Sequence, residues 1–335
     1  MRKNRFNREE EMDKIQELKQ KIFGGNLLDK QEVMELVDAP LEELSRAAGE
    51  IREHFCGDRF DMCTIINGKC GKCSEDCKYC AQSIHFTTNC QETYPLLSTE
   101  RLLEQARHNK NQGVLRYSIV TSGKRLTDRE VDQVCESIQR IRQETGIEVC
   151  VSFGLLGAEQ FRKIKTAGAS RVHCNLESSE NYFPKVCTTH TYQEKIQTLK
   201  AAKEAGLEIC SGGIMGLGET MEDRIDMVFT ARELGVKSIP VNLLNPIPGT
   251  PYEHNRVLTN EELVRIVALF RFIIPDASIR LAGGRGLLSD KGRKCFLSGA
   301  NAAISGDMLT TAGITVETDM ALLNELGYEV KLSDE

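Results

Sequence analysis

Three cysteines fall within the run Cys73-Ser-Glu-Asp-Cys77-Lys-Tyr-Cys80, just after an apolar, strand-like stretch. The Cys-x3-Cys-x2-Cys spacing gathers three thiolates at one point, and soft sulfur ligands crowded this closely suit an iron–sulfur cluster or zinc. A cubane cluster has four irons, so three ligands leave one iron open, and an open iron is a place where chemistry can happen. Two closed readings compete. Adding Cys70 gives Cys-x2-Cys-x3-Cys-x2-Cys, which a zinc knot or a closed electron-transfer cluster could use. Zinc ribbons, however, separate their two pairs by roughly a dozen or more residues. Ferredoxin runs place proline after the last cysteine, where this chain has Ala81. The open three-thiolate cluster is the preferred reading.

A second feature is the glycine run Ser211-Gly-Gly-Ile-Met-Gly-Leu-Gly-Glu-Thr220. It lacks the Lys-Ser/Thr of a P-loop and the spacing of the dinucleotide fingerprint. Close approach of backbone to a ligand explains it, and so does a plain strand-to-helix turn.

These residues need a frame. Met12, Ile15, Leu18 and Ile22 recur at helical spacing, and a second amphipathic stretch runs from about Leu41 to Phe55, with Pro40 suited to a first helical position. Residues 1–55 therefore read as an N-terminal helical extension. From Asp61 short apolar runs alternate with amphipathic stretches. Candidate strands are Met62–Asn67, Val114–Thr121, Glu148–Phe153, Arg171–Leu176, Glu208–Ser211, Ser238–Leu243, Ser278–Ala282 and Ala302–Ser305. Candidate helices are Thr99–Gln112, Asp128–Thr145, Tyr192–Ala205, Met221–Leu234 and Glu261–Ile274. Gly113, Gly146, Gly168, Gly206 and Gly235 fall near helix ends, as C-terminal caps do. Strands alternating with helices indicate a parallel sheet, most simply a closed (β/α)8 TIM-type barrel over residues 56–310, followed by a C-terminal helix and tail over 311–335. A doubly wound open sheet is the runner-up. In the barrel, the cysteine loop opens on the C-terminal face, where active sites are built.

Composition narrows the function classes. The chain has 335 residues, 40% of them apolar, enough for a sizeable core. Net charge is −6 and no basic cluster is interleaved with aromatics, which argues against nucleic acid as a partner. No apolar run approaches the roughly 18 residues of a membrane span, and the charged N-terminus is unlike a signal peptide, so a cytoplasmic protein is expected. Thirteen cysteines, an odd number, do not suit a disulfide framework in a chain this large.

The cysteine loop after the first strand resembles that of the radical S-adenosylmethionine superfamily. With Lys78-Tyr-Cys-Ala-Gln-Ser83, His173-Cys-Asn-Leu-Glu-Ser178, Cys187-Thr-Thr-His-Thr-Tyr192, Cys210-Ser-Gly-Gly-Ile214, Gly216-Leu-Gly-Glu-Thr220, Pro240-Val-Asn242 and Arg280-Leu-Ala-Gly-Gly284, the likeness over residues 40–330 is to the biotin synthases. That resemblance implies a 4Fe–4S cluster on Cys73, Cys77 and Cys80 whose open iron takes S-adenosylmethionine. Reductive cleavage then yields a 5′-deoxyadenosyl radical, which activates two carbons of dethiobiotin for sulfur insertion. It further implies that Asn175, Asn242 and Arg280 serve the reaction, the two amides binding the substrate ureido group, since an amide both donates and accepts. Glu177 would accept from the cofactor ribose, Lys195 would meet its carboxylate, Tyr79 its adenine, and Gly212, Gly213 and Ile214 its methionine end. A small electron donor such as flavodoxin or ferredoxin and a homodimer are expected on the same ground.

One position departs from the family's pattern. The resemblance implies an auxiliary 2Fe–2S cluster on three cysteines and an arginine, and Cys150, Cys210 and Arg280 are kept, but Ser118 stands where the remaining cysteine belongs. A serine hydroxyl is a poor iron ligand beside thiolates. Cys63 and Cys187 are the spare thiols, so Cys63, Cys150, Cys187 and Cys210 are expected to hold an auxiliary cluster of the 4Fe type with an extra sulfide, as in an anaerobe-type branch. Cys70 is a rival, and Cys56, Cys90, Cys135, Cys174 and Cys295 read as structural or incidental. Against this enzyme stand a radical maturase of the hydrogenase-assembly kind and an iron–sulfur carrier without turnover.

Overall fold

The computed structural model describes residues 2–88 and 92–332, with side chains from residue 11 onward; Cys90 lies outside them. Ten parallel-paired strands follow in chain order: β1 Arg59–Lys69, β2 Arg116–Thr121, β3 Glu148–Ser152, β4 Arg171–His173, β5 Glu208–Cys210, β6 Gly213–Met215, β7 Ser238–Leu243, β8 Ser278–Leu281, β9 Ala302–Ser305 and β10 Glu329–Val330. Each barrel strand pairs with the next, and β9 pairs back onto β1 with Cys63 opposite Ile304, which closes the ring. The expected (β/α)8 barrel is the observed fold. Strands β5 and β6 form one barrel position in two pieces, both hydrogen-bonded to β7. β10 adds a short parallel pairing to the start of β1.

The break between β5 and β6 has a steric cause. A Cβ on Gly212 would sit 2.0 Å from the Pro240 carbonyl oxygen, and one on Gly213 would sit 2.4 Å from that of Glu177. Only glycine lets three backbone segments come this close, so crowding between backbones accounts for this part of the glycine run.

Outside the ring, helices Thr99–Asn111, Asp128–Thr145, Tyr192–Glu204, Met221–Leu234 and Asn260–Ile273 lie where the apolar periodicity put them. Four of the five open on a threonine whose hydroxyl accepts a backbone N–H and whose own N–H is covered by an acidic residue three positions on, a reciprocal cap. A short helix, Ala158–Thr166, ends just before Gly168, where a C-terminal cap was expected; its bounds could not be drawn from the sequence because only Phe161 and Ile164 are buried on it, too few to show a period. Helix Leu41–Cys56 starts at the residue after Pro40, which holds the N-cap position and not the first helical one expected for it, and packs on Asn260–Ile273. The first helix, Arg2–Phe23, buries Ile15, Leu18 and Ile22. No helix of the described residues is long and apolar enough to cross a membrane.

Candidate active site

One cavity of about 390 Å³ runs down the barrel, within the usual range for a small-molecule site. Cys73, Tyr79 and Cys80 line its mouth, Asn175, Glu177, Ile214 and Asn242 its middle, and Cys63, Cys150, Cys210 and Arg280 its floor. The middle residues sit at or just beyond strand C-terminal ends, where side chains of a barrel face a ligand.

At the mouth, the three cysteines are partly exposed on a loop with no regular structure of its own. Glu75 and Asp76, between the first two, tie it to the Cys187-Thr-Thr-His190 segment. Asp76 accepts from the Thr188 N–H at 2.7 Å, the Thr189 N–H at 3.1 Å, the Thr188 hydroxyl and the Cys187 thiol at 3.1 Å. Glu75 lies 2.7 Å from His190 Nδ1 and accepts from the Thr189 hydroxyl at 2.8 Å. Burial alone would raise Asp76, but these donors hold it below the usual carboxylate range.

Cys187 therefore is not where the sequence put it. Its Sγ stands with Cys77 Sγ and the His190 ring within 4.8 Å of one another, at the mouth. It does not line the cavity that holds Cys63, Cys150 and Cys210, so the expected group of four thiolates is corrected to three. The Thr188 and Thr189 amides captured by Asp76 draw this segment up against the cysteine loop. Cys70 is apart from both groups, its thiol on the Glu92 carbonyl.

In the middle, Tyr79 donates to Glu177 Oε1 at 2.8 Å, and Lys195 Nζ lies 4.0 Å from the same oxygen. Glu177 Oε2 is buried without a partner, and its backbone φ of +71° is one that non-glycine residues rarely adopt. Asn175 Oδ1 accepts from the Gly212 N–H at 3.1 Å. Asn242 accepts from the Gly283 N–H at 2.9 Å and donates to the Gly213 carbonyl at 3.0 Å. Both amides are oriented by backbone; Asn175 keeps both of its N–H groups for something else and Asn242 keeps one.

Around Arg280 the floor holds further charges, Asp61, Arg116 and Arg171, that the sequence did not single out. Asp61, third in β1, meets Arg116, first in β2, at 3.1 Å, Arg171, first in β4, at 3.2 Å, and Arg280, third in β8, at 2.8 Å. All four are almost fully buried. Arg171 also meets Glu208, which is half exposed. Burial alone would push Asp61 up; Arg280, Arg116 and Arg171 instead hold it far below the ordinary carboxylate value. Three guanidiniums against one buried carboxylate leave surplus positive charge beneath the thiols. The thiols respond unequally. Burial pushes Cys63 up and also Cys150, while Cys210, despite burial, comes down to about 7 through its hydrogen bond to His173 and the two nearest arginines. A signal was present: charged residues opening otherwise apolar strands. Ser118 also lines this floor, opposite Cys150 in the β2–β3 register.

A closed βα barrel with a three-cysteine loop after its first strand is the architecture of a radical S-adenosylmethionine enzyme. The Radical SAM superfamily model matches residues 69–231, and the Biotin and Thiamin Synthesis associated domain matches residues 240–329. The chain is 58% identical over 321 residues to a biotin synthase of Brachyspira hyodysenteriae, covering 96% of each. It is 60% identical over 312 residues to that of Akkermansia muciniphila, covering 93% of this chain and 97% of that one. The chain belongs to the biotin synthase family. Among solved structures, methylornithine synthase (PylB) superposes with a TM-score of 0.81 at 20% identity, over 95% of this chain and 98% of that one. The [FeFe]-hydrogenase maturase HydG of Carboxydothermus hydrogenoformans superposes with 0.79 at 18%, over 97% and 80%. These two share the fold.

Proposed function

We propose that the chain is a biotin synthase that converts dethiobiotin to biotin by radical sulfur insertion. The observation that carries this reading is one cavity with Cys73 and Cys80 of the three-cysteine loop at its mouth and three thiols at its floor, joined by amides and a carboxylate. The maturase reading has only fold-level likeness behind it, and a carrier has no need of a cavity this deep.

The residues suit the groups the family uses. Partly exposed Cys73, Cys77 and Cys80 are a soft donor set for a 4Fe–4S cluster, and the orphaned Glu177 Oε2 is an acceptor in want of a hydroxyl. Bound there, the cluster and S-adenosylmethionine supply one-electron cleavage of a sulfonium bond and with it the means to take hydrogen from unactivated carbon. Glu177 would accept from the ribose, with Tyr79 fixing its other oxygen beside the adenine. Lys195, held near Glu177 and above the Phe183 ring, would meet the cofactor carboxylate. Ile214, with Gly212 and Gly213 holding its strand, would pack against the methionine end. The free N–H groups of Asn175 and Asn242 would hold the ureido carbonyl, which places the substrate between mouth and floor. Apolar walls exclude water from that span.

At the floor, Cys63, Cys150 and Cys210 beside Arg280 would hold the auxiliary cluster that donates sulfur. Surplus guanidinium charge fits an anionic cluster in a buried site. Cys63 takes over from Ser118 in this reading, and the 4Fe type is kept as the expectation that iron and sulfide analysis decides. The electron source is a small carrier protein such as flavodoxin or ferredoxin, and sedimentation would test the homodimer.

The test is anoxic. Reconstituted protein, dithionite and S-adenosylmethionine are assayed for 5′-deoxyadenosine and biotin, with and without dethiobiotin. Both products are expected only when dethiobiotin is present. Cleavage of the cofactor without biotin would move the substrate assignment elsewhere, and no cleavage by a fully loaded protein would end the radical reading.

A further inference from the structure

The outer flank of the cysteine loop carries a second recess, separate from the central cavity. Lys72 and Ser74, the sequence neighbours of Cys73, line it, with Lys124 and Arg125 from the loop after β2. Cys73 itself lines the central cavity, and Gly123 borders both. The cysteine loop is therefore a partition with the substrate cavity on one side and this recess on the other.

The recess is cationic on a chain whose net charge is −6. Its one carboxylate, Glu194, lies 3.1 Å from Lys124. Lys72 and Arg125 are exposed and form no ion pair among the described residues. Lys72 holds a backbone φ of +50°, which glycine takes freely and lysine rarely. A charged residue kept in an unfavourable conformation beside a cluster ligand is the kind of outlier that marks a working surface. None of the recess side chains is a buried polar group lacking a partner, so nothing there is built to anchor a small molecule. Two exposed cations, Lys72 and Arg125, beside a third paired with Glu194, suit the surface of an acidic protein instead.

We propose that this recess docks an acidic one-electron carrier protein, so that electrons reach the cluster site from the Cys73 side while the central cavity stays closed to water. The step is a bare electron transfer. The carrier is oxidised by one electron, the cluster site is reduced by one, and no bond or proton changes hands. The proposal rests on the reading above that Cys73, Cys77 and Cys80 hold a reducible cluster.

The variant Lys72→Gly/Arg125→Glu tests it, since glycine suits the backbone at 72 and both changes lie outside the substrate cavity. The probe is a photochemically reduced flavodoxin, titrated at low and at physiological salt, with 5′-deoxyadenosine as the readout and dithionite as the chemical bypass. The KM for flavodoxin should rise about tenfold at low salt, with kcat unchanged, and the salt dependence seen in the parent protein should flatten. Dithionite-driven cleavage should match the parent. An unchanged flavodoxin KM and salt dependence, with the dithionite rate intact, would overturn the docking site. Failure of the parent itself under dithionite would overturn the cluster reading and the docking proposal with it. If the double variant also loses the dithionite-driven rate, Arg125→Glu alone, away from the cysteine loop, decides by the same two outcomes.

Discussion

Two thiol-rich regions face each other along one cavity, and they are built in opposite ways. At the mouth, Cys73, Cys77 and Cys80 sit on a loop held by carboxylates, Glu75 and Asp76, that grip the Thr188–His190 segment. At the floor, Cys63, Cys150 and Cys210 sit on β1, β3 and β5, over three buried guanidiniums that share Asp61. A loop can admit a cofactor and release its products. Strands cannot move without breaking the barrel, so the floor suits a group that stays in place and is consumed from above. The difference suggests that charge as well as sulfur sorts the two sites.

The largest break in this comparison comes from the mouth. Cys80→Ala should reduce 5′-deoxyadenosine formation to background, because the remaining two thiols cannot hold a cluster with one open iron. Iron analysis should show loss of the mouth cluster while the floor keeps its own. Cofactor cleavage at the parent rate would dissolve the distinction between the sites.

Cys63→Ala should do the reverse. Cofactor cleavage in the presence of dethiobiotin is retained, biotin is lost, and iron falls by the auxiliary cluster alone. Cys187→Ala, by contrast, should leave floor iron unchanged, since that thiol sits beside Cys77. Equal loss of floor iron in both variants would restore Cys187 to the auxiliary site.

The sequence showed the mouth more clearly than the floor, and the reasons are physical. Cysteine spacing of three and two residues is local, and helical period, strand runs and glycine caps are local too, so the barrel and its loop could be read directly. The caps at Gly146 and Gly235 indeed adopt left-handed conformations. The Asp61–arginine group joins residues from β1, β2, β4 and β8, and no local pattern connects them. Cys187 was misplaced for a related reason. Its position depends on two backbone amides bonding a carboxylate more than a hundred residues earlier, a contact that spacing cannot show. The fourth strand was drawn too long because Cys174 and Leu176 carry on the apolar alternation of Val172, although the regular ladder ends at His173.

Asp61→Asn tests what the floor's charge does for the fold. Removing the carboxylate leaves three buried guanidiniums facing one another, and breaking a buried ionic group costs about 3–5 kcal/mol. Chemical denaturation of the metal-free protein should show that loss. The pH dependence has a definite sign. The folded carboxyl lies below its unfolded value, so its contribution is complete at neutral pH and disappears only as pH falls below the ordinary carboxylate range. The parent should therefore lose its advantage over Asp61→Asn in acid. A constant difference between the two down to low pH would mean that the aspartate acts by shape and not by charge.

Asp76→Asn is the smaller change at the mouth, and it separates the two designs most finely. Asparagine has nearly the same outline, and its carbonyl can replace Oδ1, which accepts from the Thr188 and Thr189 N–H groups and the Cys187 thiol, but its amide cannot accept the Thr188 hydroxyl that Oδ2 takes. That bond is lost and the others lose a charged acceptor, at about 1 kcal/mol each. Because the bonds join two loops and not two strands, that cost should fall on local order and not on global unfolding. The expected result is faster backbone hydrogen exchange in residues 73–80 and 187–190 and quicker loss of mouth iron to a chelator, while the denaturation midpoint of the barrel hardly moves. If instead the midpoint fell as far as it does for Asp61→Asn, the mouth would be as much a part of the barrel's cooperative unit as the floor, and the contrast between an adaptable entrance and a fixed base would have no energetic content.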